Sequence, residues 1–202
     1  MILVFARAPV PGEAKTRLAP RLGEWRAARL QARLTLHALR TARLADDVVE
    51  LHGTARHSFF SSLKVPFRLQ RGQDLGERMY HAFAKAKQPA ILIGTDCPML
   101  TPADLRRATR WLRSGCDAVL APAEDGGYAL IALRRPRPEF FEGVEWGGSE
   151  VYAQTLRKLA GYRWRALRTV WDVDRPADLD RLPSLRLRAL RFASAARRGA
   201  RR

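Results

Sequence analysis

At 202 residues, with 47% hydrophobic and 28% charged content, the chain suits one domain with a sizeable core and has the composition of a globular protein. No apolar run approaches the ~20 residues of a membrane span, and residues 1–4 are too few for a secretory signal. Cys97 and Cys116 show neither metal spacing nor a disulfide framework, so a reducing cytoplasm is expected. The net charge of +17 is uneven: residues 181–202 carry +8 with no acid, which leaves +9 on the first 180. A basic surface suits polyphosphate, acidic lipid or nucleic acid. Without zinc-finger spacing, an RNP-type motif or a helix-turn-helix, nucleic acid is not expected as the main partner.

Residues 2–6 are an apolar run and read as the first strand. Residues 7–23 hold Pro9, Pro11, Gly12 and Pro20 without helical periodicity, a loop long enough to suggest function. A helix is expected over 24–44, with Trp25, Ala28, Ala32, Leu36 and Leu39 as its inner stripe. Residues 48–51 read as a strand, Phe59 and Phe60 as part of a short helix, and 66–70 as a further short strand. The helix over 75–85 turns Met79, Ala82 and Phe83 inward. Residues 90–93 form a buried strand that stops at Gly94-Thr95-Asp96-Cys97-Pro98. Thr101 caps a helix that has Pro102 at its first position and runs to about Arg113. Strands follow at 117–121 and 128–133, then a helix over 149–159 capped by Ser149. A last short strand ends at 171–174, and 176–182 form a helical turn. Residues 183–202 are an arginine-rich tail, with Leu185, Leu187, Leu190 and Phe192 spaced for an amphipathic helix. Strands alternating with helices predict an α/β fold: a single domain over 1–182 with a mostly parallel sheet covered on both faces.

Asp96 falls just past the carboxyl end of a central strand, the edge where open α/β sheets bind ligands, although alone it serves equally well as a turn cap. The loop Pro11-Gly12-Glu13-Ala14-Lys15-Thr16-Arg17-Leu18 lacks the glycine and Gly-Lys-Thr adjacency of a Walker A loop. Its physics is related, since exposed backbone N–H groups with Lys15 and Arg17 can neutralise phosphate. An extended loop would aim both cations at one phosphate chain; a solvated basic loop is the other reading. Asp74 suits a helix N-cap and Gly76 permits a ligand at the helix start, though simple capping explains both. Gly126 and Gly127, between Asp125 and Tyr128, allow close approach of a substrate or make a plain hairpin turn. Asp172 and Asp174 alternate to one side of an extended segment. With Asp96, one of them would make a site for Mg²⁺ or Mn²⁺, hard cations that share carboxylate and phosphate oxygens. His37, His52, His57 and His81 show no ligand spacing, and Cys97 has no activating base.

Five motifs in order, Pro9-x-Pro11-Gly12-x-x-Lys15-Thr16-Arg17-Leu18, Asp74-Leu75-Gly76-x-Arg78-Met79, Gly94-Thr95-Asp96-Cys97-Pro98, Asp125-Gly126-Gly127-Tyr128 and Asp172-Val173-Asp174-x-Pro176-x-Asp178-Leu179, carry a resemblance. The chain resembles the small bacterial glycosyltransferase-like family of the nucleotide-diphospho-sugar transferase superfamily, with its GT-A-type fold. Members are described as uncharacterised transferases or arsenosugar-biosynthesis glycosyltransferases. The resemblance spans about residues 1–182. It implies nucleotide at Gly12, Lys15, Thr16 and Arg17 and at Asp74, Leu75 and Gly76, and metal at Asp96 with Asp172 or Asp174. It further implies the sugar or acceptor at Asp125, Gly126, Gly127, Tyr128 and Trp146. Arg7 stands where lysine is usual, and Gly147-Gly148 replace a common Ser-Thr after Trp146.

The expected protein is therefore a metal-dependent nucleotide-sugar transferase, with Lys15, Arg17 and Asp96 at the reacting centre and a small molecule as acceptor. The alternative is a nucleotidyltransferase that joins a nucleoside triphosphate to a sugar phosphate or phospho-acid. A third reading, from the arginine tail, is a non-catalytic polyanion-binding protein.

Overall fold

The computed structural model describes residues 1–86 and 89–184. The tail and its amphipathic helix lie outside the described residues from 185 onward. In chain order the elements are β1 (Ile2–Ala6), α1 (Ala19–Leu22), α2 (Glu24–Arg43), β2 (Val49–Gly53), α3 (Ser58–Ser61), β3 (Phe67–Leu69) and α4 (Leu75–Ala86). There follow β4 (Ala90–Gly94), α5 (Pro102–Arg113), β5 (Ala118–Pro122), β6 (Tyr128–Leu133), α6 (Val151–Lys158) and β7 (Trp164–Ala166). The strands form one seven-stranded sheet in the order β3-β2-β1-β4-β6-β5-β7. Only β6 runs antiparallel to its neighbours β4 and β5. Its N-terminus thus lies at the same edge as the carboxyl ends of the other strands, which brings the β5–β6 turn to the ligand-binding edge of such sheets.

The central strands are apolar throughout because both faces are covered. Ile2, Val4, Ile91, Ile93 and Val119 point into a core with Leu39, Leu105 and Leu112. The alternate residues Leu3, Phe5, Leu92 and Leu120 pack on the other face against Met79, Phe83 and Phe141. Helix α5 begins as expected, Thr101 and Asp104 forming a reciprocal capping box with Pro102 in the first turn. The outer strands β3 and β7 are three residues each, short edges that limit edge-to-edge pairing.

Three expectations need correcting. Helix α2 buries Ala27, Ala28, Gln31, Leu34, Thr35, Ala38, Leu39 and Ala42, while Trp25 stands 80% exposed and Ala32 and Leu36 lie at the margin. A stripe chosen by hydrophobicity passes over Gln31 and Thr35, polar residues that are buried because they hydrogen-bond inside. Ser149 does not cap α6, which has Glu150 at its N-cap without a side-chain bond. The last strand is β7 rather than 171–174; that segment joins the sheet only beside it, through a bridge from Val170 to Ala123. All three β7 residues are exposed, so alternation gives no signal there.

Candidate active site

The loop after β1 turns sharply rather than extending. Lys15 has left-handed φ 52° and ψ 42° and precedes a 3₁₀ turn at Thr16–Leu18, so Lys15 and Arg17 point to different places. The Lys15 side chain is 3% exposed, its ammonium 2.9 Å from Oδ1 of Asp96. The same ammonium donates to the Val173 carbonyl at 2.5 Å. The Val173 N–H in turn donates to the Asp96 carbonyl at 2.8 Å. A buried lysine therefore staples the turn after β4 to the 171–174 segment, and its charge is matched by the carboxylate it needs. The Arg17 guanidinium lies outside, 70% exposed, and pairs with Asp174. The expected single grip of both cations on one phosphate chain is thus not the resting geometry.

Val173 is fully buried beside Leu18 and Leu34, which turns Asp172 and Asp174 the other way, as alternation predicts. Both line a cavity of about 520 Å³ with Arg17, Asp125, Gly147 and Arg181. Asp174 is engaged by Arg17, whereas Asp172 makes no ion pair among the described residues. Burial, then the nearby Asp125 carboxylate, pushes Asp172 up to about 6. Burial also raises the Cys97 thiol well above its ordinary value, reinforced by Asp172 and Asp96, so Cys97 is an inert thiol at the centre of a negative field. Among the described residues no three His, Cys, Asp or Glu side chains converge as a ready metal cage.

Behind Asp96 runs a buried polar chain that the sequence did not reveal. Gln31 donates to the Thr95 hydroxyl at 2.9 Å, and Thr95 donates to Oδ1 of Asp96 at 3.3 Å. The Thr35 hydroxyl bonds back to the Gln31 carbonyl at 2.9 Å. One turn further, His37 Nε2 donates to the Pro98 carbonyl at 3.0 Å. Helix α2 thus fixes both sides of the Asp96 turn. A signal existed in the sequence: Gln31, Thr35 and His37 are polar residues near an apolar face.

The glycine motifs serve the main chain. A Cβ on Gly126, whose φ is +90°, would lie 1.8 Å from the Ser149 carbonyl oxygen. The close approach there is made by the chain itself, and Asp125 accepts from the Gly127 N–H in the same turn. At Gly76 a Cβ would meet the Trp146 indole at 2.7 Å, so the glycine makes room for Trp146 at the start of α4. Asp74 caps that helix, accepting from the Glu77 N–H at 2.8 Å. The Tyr128 ring packs edge-on to Trp146, and burial raises its hydroxyl pKa. Tyr128 and Trp146 therefore link the α4 start to the β5–β6 turn instead of lining the cavity. Gly12, at φ +81°, passes close to the Glu24 carboxylate. The structure brings Lys15, Arg17, Asp96, Asp125, Asp172 and Asp174 to one edge, and adds Glu124, Ser149, Arg175, Asp178 and Arg181 as cavity residues.

Residues 35–148 match the model of a family described as "Uncharacterized protein conserved in bacteria (DUF2064)". No curated protein matches the chain. Among solved structures, a Desulfovibrio desulfuricans G20 protein provisionally named a nucleotide-diphospho-sugar transferase is 34% identical, with a TM-score of 0.83 over 90% of this chain and 84% of that one. A CMP:2-keto-3-deoxy-manno-octonic acid synthetase solved with CTP is 15% identical, TM-score 0.60, over 94% of this chain and 99% of that one. Rv0371c of Mycobacterium tuberculosis H37Rv, solved with manganese, is 20% identical, TM-score 0.51, over 90% and 97% of the two chains. The second and third likenesses show a shared fold.

Proposed function

The chain belongs to the DUF2064 family of proteins conserved in bacteria, and on that premise we propose that it is a metal-dependent transferase acting on a nucleotide sugar. The fold is shared with a protein provisionally named a nucleotide-diphospho-sugar transferase, 34% identical to this chain, and with a synthetase solved with CTP. One observation carries the reading: at the carboxyl edge, a lysine-held carboxylate at Asp96 faces the segment bearing Asp172, with an exposed arginine at its rim.

The donor set fits a hard divalent cation. Asp172 is a partly buried carboxylate without an ion pair among the described residues, crowded by Asp125, and it and Asp96 both act on the Cys97 thiol between them in sequence. Asp96 and Asp172 would hold Mg²⁺ or Mn²⁺, and Asp174 is the weaker candidate because Arg17 occupies it. When bound, the cation neutralises charge on a diphosphate leaving group. Lys15 holds Asp96 in place and adds positive potential from below. Arg17 exchanges Asp174 for diphosphate oxygens, which its planar fork suits. The backbone at Gly12 and Thr16 and the α4 start at Asp74, Leu75 and Gly76 bind the nucleotide. The cavity between Asp125 and Gly148 receives the sugar and its small-molecule acceptor, with Gly126, Gly127, Tyr128 and Trp146 holding its wall. No helix among the described residues is long and apolar enough to cross a membrane.

The test supplies Mg²⁺ or Mn²⁺ with nucleotide sugars in one arm and with nucleoside triphosphates plus sugar phosphates in the other. Release of nucleoside diphosphate in the first arm supports sugar transfer. Pyrophosphate in the second supports nucleotidyl transfer instead. Turnover in neither arm, with salt-sensitive binding of random duplex DNA, supports the polyanion-binding reading.

A further inference from the structure

Between α4 and the edge strand β3 lies a second groove, of about 570 Å³, that shares no lining residue with the cavity beside Asp172. No Asp or Glu lines it among the described residues, while five cations do: Arg56, Arg68, Arg71, Arg78 and Lys85. Two of them are already engaged. Arg68 is ion-paired to Glu50 at 2.8 Å, and Arg78 donates to the Gly72 carbonyl at 3.1 Å. Arg56, Arg71 and Lys85 are exposed and make no ion pair among the described residues.

A buried polar group also faces this groove. His52 is 3% exposed and stacks on Phe5 at 5.4 Å. Its Nε2 is buried against a Glu50 carboxylate oxygen 3.3 Å away. Burial lowers its pKa, so at neutral pH the imidazole is uncharged and carries one N–H to give. The remaining wall combines an apolar part, Phe67, Leu69 and Ala82, with Gln70 and His81; Phe67 is partly buried and Leu69 is 43% exposed.

We propose that this groove binds a small phosphomonoester, its phosphoryl group held by Arg71, Lys85 and Arg56 and its organic body against Phe67 and Leu69. Guanidinium forks and an ammonium are the donors that phosphate oxygens select. An apolar wall beside them distinguishes an organic phosphate from the inorganic ion. The groove opens past the carboxyl ends of β2 and β3, apart from the cavity beside Asp172, and the proposal stands whether or not the transferase reading holds.

The test is calorimetric titration with phenyl phosphate at physiological salt, with phenol and inorganic phosphate as comparisons. Saturable binding of phenyl phosphate is expected, tighter than that of inorganic phosphate and absent for phenol. Changing both Arg71→Ala and Lys85→Ala should weaken it about tenfold or more, as loss of charge-assisted bonds requires. Arg17→Ala should leave it unchanged, and the His52 imidazole resonance should move on binding. The proposal is overturned by absence of saturation, by equal binding of phenol, or by a His52 resonance that stays fixed. Loss on Arg17→Ala without loss in the double variant would overturn it too, by placing the ligand in the cavity beside Asp172.

Discussion

Asp172→Asn should make the unliganded protein more stable and a poorer binder. Its carboxyl is raised from the ordinary 3.8 to about 6, by burial first and then by Asp125. The native state therefore holds the proton more tightly than the unfolded chain. Stability falls as pH rises from about 4 to about 6, and the penalty is full above that window. Two pKa units amount to about 3 kcal/mol for a fully enclosed group. Asp172 is only partly buried, and solvent screening reduces this to about 1–2 kcal/mol. For a chain of this size that is a rise in Tm of roughly 3–6 °C at pH 8. Thermal unfolding of parent and variant at pH 8 and pH 5 measures it, and the gap should narrow at pH 5. A variant no more stable at pH 8, or a gap that ignores pH, would refute the reasoning. With Mg²⁺ and a nucleoside diphosphate present, the parent should gain stability and the variant should gain little.

Arg17→Lys should leave the unliganded Tm unchanged, because the arginine is an exposed partner of Asp174. In a titration it should weaken diphosphate binding by roughly 5- to 150-fold, since the charge stays and the fork is lost. Gln31→Leu should cost about 1–2 kcal/mol in chemical denaturation by removing the buried donor to the Thr95 hydroxyl, and should weaken Mn²⁺ binding several-fold by loosening Asp96. Gly126→Ala should lose about 2 kcal/mol or more, read from its denaturation midpoint, because the new Cβ collides with the Ser149 carbonyl at positive φ.

Much of the fold is legible because the signals are local. The capping box of α5 needs only four adjacent residues, and the apolar run of β4 needs five. The strand at 164–166 is not legible, since its three residues pack no side chain inward and exist as a strand only through β5. Within the site, Asp96, Lys15 and the Asp172–Asp174 pair stand out as charges at loop positions, and the structure gathers them. What each touches is a tertiary matter. Nothing in Lys15-Thr16-Arg17 reveals that the lysine is enclosed and the arginine exposed, because the division depends on a left-handed turn and on Val173. At Gly76 and Gly126 the group that needs the missing side chain is Trp146 in one case and the chain itself in the other, which no local pattern reveals.

The Lys15 staple has a consequence for how the molecule is made. Its bond to Val173 spans 158 residues, and the neighbouring Arg17–Asp174 and Arg21–Asp180 pairs span 157 and 159. Contacts between such distant parts carry the largest loop-closure cost and slow folding the most. During synthesis β1 through β6 can pair, and Lys15 can meet Asp96, while its second partner, the Val173 carbonyl, is still unmade. A chain stopped after β6 keeps six of the seven strands and lacks Asp172, Val173 and Asp174 altogether. Sheet formation and completion of the carboxyl edge are thus separate events in the life of the polypeptide, and the second waits for residues 172–174.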